Sequence, residues 1–365
     1  MTGPRVAGWD LLRGLCALTV ASYHLLGWLQ LAELPALGTY GVYLFFVLSG
    51  ASLAYTHDGR KWPTPRGYVE FLAARWLRLA PLYLLLCALF VAMLSARSGA
   101  AVDHLGQRLL LNATFAFGLH DPVTWALLIG GWSLGIEFVF YLAFPLLARI
   151  ATAPAWRWAA LGLLALVQAG WIRQTIGLHG WPDGVVAYHQ APAFAAYFFA
   201  GCMIGSARRD RTAGWPLGAA VAAWMALALL FALLMPERAG DELLGARGLV
   251  LASACIVVVW ASGKARVGGR TLQALAAIAG DITYGTYLLH PMLLFGLLWF
   301  VMPVAAMSTA LRWVVLAGVL VGAIALAWAC ERWIERPARR WGRASLRGEV
   351  RRAAGRQSEA ASISS

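Results

Sequence analysis

Apolar residues in this chain come in long runs, not in the alternation of a half-buried strand or the narrow stripe of a soluble helix. Stretches of roughly 20 apolar residues recur along most of the length, which is what an α-helix needs to cross a hydrocarbon core about 30 Å thick. The pattern predicts spanning helices near 8–31, 38–56, 76–96, 123–148, 158–173, 190–207, 215–235, 244–262, 283–303 and 309–331. The stretch 105–119 is apolar but short, and is expected to lie in the interface or to re-enter. No connection between runs exceeds about 30 residues, so none can hold a soluble domain.

Charge orients the predicted helices. With the N-terminus placed inside, 22 of the 30 Lys and Arg residues fall on the cytoplasmic side and 6 on the other, while Arg13 and Arg78 lie within spans. Such a bias is the positive-inside signature, and an eleventh span at 105–119 would invert everything downstream of it. The expected fold class is all-α: a polytopic integral membrane protein of about ten transmembrane helices, with N- and C-termini cytoplasmic. Residues 1–340 form the membrane domain and 341–365 a basic, disordered cytoplasmic tail.

Composition agrees. Hydrophobic residues make up 61% of the 365 and charged residues 13%, about half the usual share for a soluble domain. Of the 18 Trp, Trp28, Trp62, Trp76, Trp125, Trp156, Trp215, Trp333 and Trp341 stand at predicted span ends, where indoles favour the membrane interface. The net charge of +13 does not argue for nucleic acid, because nine arginines cluster after residue 331, where a basic segment faces anionic lipid. The five cysteines lie inside apolar runs without metal-ligand spacing, so neither a disulfide framework nor a metal site is expected. Asp10, Arg13 and His24 within the first run argue against a cleavable signal peptide.

Those ionisable residues are the informative ones, because charge inside a span is costly and marks candidate sites. Arg13 and His24 are eleven residues apart and project from one helix face about 16 Å apart. Gly14, Ala17 and Ala21 lie along that stripe and would let a neighbouring helix approach closely. Asp10 and Arg13 can form an i,i+3 ion pair. Arg75 and Arg78 share a face at the cytoplasmic edge, which suits either a clamp for phosphate groups or a simple topology anchor. Ser133, Glu137 and Tyr141, four apart, share another face, and a lone carboxylate at that depth must be neutral or paired. Asp281, Tyr284, Tyr287 and His290 put a polar face on the ninth span, and Glu331, Glu335 and Arg336 close the tenth. A histidine can serve as general base on a hydroxyl, with a buried carboxylate to orient it. A proton-coupled transporter would own the same residue types, and composition alone leaves both open.

Order and spacing add a resemblance. The chain carries Asp10-Leu11-Leu12-Arg13-Gly14 with His24, and the run Gly41-Val42-Tyr43-Leu44-Phe45-Phe46-Val47-Leu48-Ser49-Gly50. It continues with Arg75-Trp76-Leu77-Arg78 and Pro81, then Trp132-Ser133-Leu134-Gly135-Ile136-Glu137 with Tyr141. Tyr284-Gly285-Thr286-Tyr287-Leu288-Leu289-His290 and Glu335-Arg336-Pro337 complete the set. Together these resemble the acyltransferase 3 family of membrane acyl-CoA-dependent acyltransferases over about residues 5–340. Two positions depart from the family pattern: Ala51 stands where Phe is common, and Thr283 precedes Tyr284 where Ser is commoner.

The resemblance implies about ten spans, an acyl-CoA donor on the cytoplasmic side and acyl transfer to a hydroxyl of an envelope molecule. The chain looks like a standalone member without the periplasmic hydrolase-like domain some members carry. The roles implied are His24 as base or transient acyl carrier, with Glu137 supporting it or the acceptor. Arg13, Arg75 and Arg78 would hold the donor, and Asp10, Ser133, Tyr141, Tyr284, Tyr287 and His290 would serve substrate or support. Acetyl-CoA is expected as donor substrate, with no permanently bound cofactor. The expected partners are a saccharide acceptor, lipid-linked or not, and membrane lipids, in the cell inner membrane. Exopolysaccharide or lipopolysaccharide is the expected acceptor; the alternatives are a small secreted molecule such as a macrolide, or transport of a small anion or lipid-linked sugar. His179-Gly180-Trp181-Pro182-Asp183 is the outer segment that could offer a sugar an aromatic face, or else an ordinary turn.

Overall fold

A computed structural model describes residues 5–57, 64–99, 102–208, 214–234 and 245–342. The basic segment beyond 342, together with Arg60, Lys61, Arg209, Arg211 and Arg238, lies outside the described residues. The described chain is helical apart from one parallel two-stranded contact, Trp215–Pro216 with Ala265–Arg266.

Its helices are α1 (Ala7–Trp28), α2 (Pro35–Thr56), α3 (Pro65–Ser98), α4 (Leu105–Thr114), α5 (Pro122–Trp125), α6 (Gly131–Ala151), α7 (Arg157–Ile172), α8 (Leu178–Tyr188), α9 (Ala195–Arg208), α10 (Leu217–Leu234), α11 (Gly245–Lys264), α12 (Arg270–Phe300) and α13 (Thr309–Cys330). Each of the ten predicted segments holds one of these helices. Among the described residues, six helical segments are long and apolar enough to cross a membrane: Leu37–Thr56, Pro65–Ser98, Gly131–Ala151, Arg157–Gly180, Gly245–Lys264 and Thr309–Gly342. This is an all-α membrane protein.

Three helix starts depart most from expectation. Helix α3 starts at Pro65 instead of 76, because Thr64 accepts a hydrogen bond from the Gly67 amide at 3.2 Å and Pro65 takes the first turn. The added turns carry Arg66 and Glu70, paired at 3.1 Å, and are invisible to a search for apolar runs. Helix α12 likewise begins at Arg270, thirteen residues before the predicted span. Helix α6 begins later, at Gly131, where Gly130 turns the chain with φ of 78°.

The segment 105–119 is helix α4 followed by the 3₁₀ turn Ala116–Leu119, folded back against α3 and α6. Asn112, fully buried, organises it: its side chain accepts from Tyr83 at 2.6 Å and the Leu127 amide at 3.0 Å, and donates to the carbonyls of Arg108 and Trp125 at 2.7 and 2.8 Å. Trp76 reaches the Ala113 carbonyl at 2.7 Å. The segment 179–183, expected as an outer sugar-facing segment or an ordinary turn, is part of α8, kinked at Gly180, with His179 and Asp183 exposed.

Helix α1 packs between α2 and α12, and α2 packs along α9. The stripe of small residues on α1 does what its spacing predicts, since a Cβ on Gly14 would lie 2.8 Å from that of Ala279 on α12. Helix α9 approaches α2 closely enough that a Cβ on Gly201 would collide with the Val47 carbonyl. Close backbone approach of this kind is how helices associate where the solvent is lipid.

Candidate active site

The polar residues of the spans gather in two places joined by a third. The first lies at the end of the bundle that carries Arg5, Pro65 and Arg336, called the inner end below. Asp10, in the first turn of α1, takes Arg5 at 3.0 Å and Arg13 at 2.8 Å. Arg5 also reaches Asp281 of α12 at 2.7 Å, and Asp281 takes Arg336 at 3.4 Å. Arg336 and Arg339 hold Glu331 at 3.4 and 2.5 Å, and Arg339 adds Glu335 at 3.3 Å. Glu331 and Glu335 are each only 3% exposed, so pairing is what makes their charge tolerable there. This network ties α1 and α12 to the π-helical turn Glu331–Glu335 that extends α13.

Helix α2 contributes two serines to the same end. Arg13 donates to the Ser52 hydroxyl, which in turn donates to the Leu48 carbonyl at 2.6 Å. Ser49 donates to Glu137 Oε1 at 2.7 Å, and the Tyr141 hydroxyl donates to that same oxygen. The carboxylate of Glu137 is thereby fixed by α2 and by its own helix.

Arg75 and Arg78 differ from every other arginine of the cluster. Neither makes an ion pair or hydrogen bond among the described residues, and Arg75 Nε is buried without a partner. Both lie within electrostatic range of Glu137 and Tyr141, and Arg78 also of Arg13, Glu331 and Glu335. The Arg78 side chain is nevertheless exposed. Two guanidinium groups with donors to spare, surrounded by protein but reachable, can take a planar or tetrahedral oxyanion.

The second place is a histidine pair three turns along α1. His24 Nδ1 lies 3.0 Å from Nε2 of His290 on α12, with the rings 5.3 Å apart and nearly parallel. Trp28 stacks on a face of the His24 ring, with ring centroids 4.7 Å apart and planes within 7°. His290 is buried and His24 partly exposed.

Between the two lies a knot of hydroxyl groups. Tyr287 donates to the Gly130 carbonyl at 2.9 Å and sits 3.0 Å from Ser133 Oγ, while Tyr284 donates to the Leu79 carbonyl at 2.7 Å. These bonds pin α12 to the start of α6 and to α3.

The structure therefore brings together Asp10 with Arg13, Glu137 with Tyr141, Ser133 with Tyr287, and His24 with His290. It does not bring Glu137 to His24; their hydrogen-bond partners are separate, and the histidine that meets His24 is 266 residues away. Arg13, expected in the phosphate clamp, is held by Asp10 and Ser52 beside it. Ser52, Arg5 and Arg339 were not singled out from sequence; Ser49 was named only within its run and Trp28 only as an interface residue. Ser49 is a polar residue near the end of the apolar run 41–50 of α2 and Trp28 follows His24 by one turn, so both had a signal; Ser52 and Arg339 had none. Among the described residues no group of three His, Cys, Asp or Glu side chains could hold a metal ion.

Comparison with known proteins bears on this arrangement. The family model described as an acyltransferase domain, that of the acyltransferase 3 family, matches residues 6–332. The exopolysaccharide production protein ExoZ of Rhizobium meliloti (strain 1021) is 29% identical over 268 residues, covering 70% of this chain and 76% of that protein. No solved structure matches.

Proposed function

The chain belongs to the acyltransferase 3 family, and from that premise we propose that it is an O-acetyltransferase. It moves an acetyl group from cytoplasmic acetyl-CoA to a hydroxyl of a cell-surface polysaccharide or its lipid-linked precursor. It does so from the inner membrane, with about ten spans and both termini on the cytoplasmic side. The relative's printed name, exopolysaccharide production protein, supports the choice of acceptor.

The observation that carries the reading is the spacing along α1. Arg13, beside Arg78, and His24 are eleven residues apart, about 16 Å along the helix. The pantetheine arm of coenzyme A is comparable to five extended residues, on the order of 17 Å from phosphate to sulfur. Phosphates held by Arg75 and Arg78 would thus leave the thioester at the depth of His24. Glu137, held by Ser49 and Tyr141, balances the two arginines when no phosphate is present.

At that depth His24 takes the proton from the acceptor hydroxyl as its oxygen attacks the thioester carbonyl. The C–S bond then breaks, the acetyl ester forms, and the proton passes from His24 to the departing thiolate to give free coenzyme A. Purified protein incubated with radiolabelled acetyl-CoA and an envelope fraction should place label in saccharide and release free thiol in equal amount. His24→Ala should insert normally and lose roughly 10²–10⁴-fold in rate, the usual worth of a general base. Flux of substrate across proteoliposomes without donor turnover, or full activity in well-inserted His24→Ala, would overturn the reading.

A further inference from the structure

Which nitrogen of His24 acts, and what decides it, follows from the hydrogen bonds of its partner. His290 is 1% exposed, and its Nδ1 lies 3.1 Å from the Thr286 carbonyl oxygen one helical turn back. A carbonyl oxygen only accepts, so Nδ1 of His290 carries a hydrogen. The ring is buried with no carboxylate bonded to it, which keeps it neutral, and a neutral imidazole has a single N–H. Its Nε2 is therefore a lone pair. That lone pair faces His24 Nδ1 at 3.0 Å, so His24 Nδ1 must supply the hydrogen. The remaining nitrogen of His24, Nε2, is left as the basic one, and it makes no hydrogen bond among the described residues. Trp28, flat against the ring, holds its plane.

We propose that His290 is a positioning residue that sets the tautomer of His24, so that Nε2 is the atom that takes the acceptor proton. This rests on the acyl-transfer reading above for its catalytic consequence, but the tautomer itself does not. When Nε2 of His24 takes the proton, the Nδ1–H bond to His290 strengthens, because its donor is now cationic. The Thr286 carbonyl orients His290 as a second link. A serine-protease aspartate fixes its histidine by the same logic; here the partner is neutral, which avoids a carboxylate in a region where an uncompensated charge is costly.

Three samples test it: the wild-type protein, His290→Leu, which removes the acceptor at similar volume, and His290→Gln, whose side-chain oxygen can take the place of Nε2. Nitrogen-15 NMR of histidine-labelled wild type should show His24 with hydrogen on Nδ1 and a bare Nε2. In His290→Leu that preference should be lost. His290→Leu should also lower kcat by about 10–100-fold, a partial loss of the base, while the KM for acetyl-CoA stays within about twofold. His290→Gln should recover at least about tenfold of the kcat lost. A wild-type spectrum with hydrogen on His24 Nε2 would overturn the proposal. So would equal loss in the Leu and Gln variants, or a loss seen in KM and not in kcat. Should His290→Leu fail to fold, the wild-type and His290→Gln spectra still decide the tautomer. If the wild type transfers no acetyl group at all, the acyl-transfer reading falls while the spectrum continues to test the hydrogen-bond chain.

Discussion

At the scale of single residues, the arginines sort themselves by what they touch. Arg5, Arg13, Arg336 and Arg339 are committed to carboxylates, whereas Arg75 and Arg78 have no carboxylate partner among the described residues. Charge alone does not make a clamp, because a lysine ammonium cannot present the two parallel donors that a guanidinium does. Arg75→Lys and Arg78→Lys should each weaken acyl-CoA binding roughly tenfold or more, since charge-assisted bonds contribute about 1.5–3 kcal/mol each. Calorimetric titration of the protein in detergent with acetyl-CoA or desulfo-CoA reads this directly. Wild-type affinity in both Lys variants would reduce the pair to topology anchors.

At the scale of elements, α2 sets the site by holding its charged residues. Its Ser49 fixes Glu137 and its Ser52 receives Arg13, so its position against α9 matters to both. That position depends on the missing side chain at Gly201, where α9 meets the Val47 carbonyl. Gly201→Val should lose about 1–3 kcal/mol by overpacking, with α2 displaced and activity falling alongside stability. Gly162→Ala on α7, where a Cβ meets open space, should be neutral or stabilising by up to about 1 kcal/mol. Thermal unfolding followed by cysteine reactivity compares the two, since Cys16, Cys87, Cys202 and Cys255 are buried in the folded protein. Equal melting temperatures for Gly201→Val and the wild type would remove the close-approach argument.

At the scale of the whole molecule, α3 gives the topology its clearest handle. From Arg66 to Arg97 it runs about 46 Å, longer than the hydrocarbon core, so its ends are expected on opposite sides. Single cysteines at Arg66 and at Asp103, both exposed, in a chain whose Cys330 is replaced by Ala, should label oppositely with a membrane-impermeant maleimide on intact cells. Asp103→Cys should react from outside and Arg66→Cys only after the membrane is opened. The reverse pattern would place the arginine clamp on the wrong side for acetyl-CoA, and the proposed function with it.

Apolar runs alone determined that this chain is helical and membranous, because the requirement that backbone groups be satisfied within lipid leaves little other choice. They located a helix in each of ten segments and left 105–119 out of the count. The same runs missed the start of α3 and of α12, because the added turns carry Arg66, Glu70, Arg270 and Asp281, which lower local hydropathy without interrupting the backbone ladder. Candidate residues were legible too, since an arginine, a glutamate or a histidine within a span stands out one at a time. Their partners were not. His24 and His290 meet because α1 lies on α12 with Gly14 against Ala279, and Glu137 meets Ser49 because α2 reaches α6 with that serine turned toward it. Hydropathy is a sum over neighbours in sequence, while a hydrogen bond between helices depends on which helices adjoin and how each is rotated. Only the tertiary structure decides that, and with it which nitrogen of His24 is left bare.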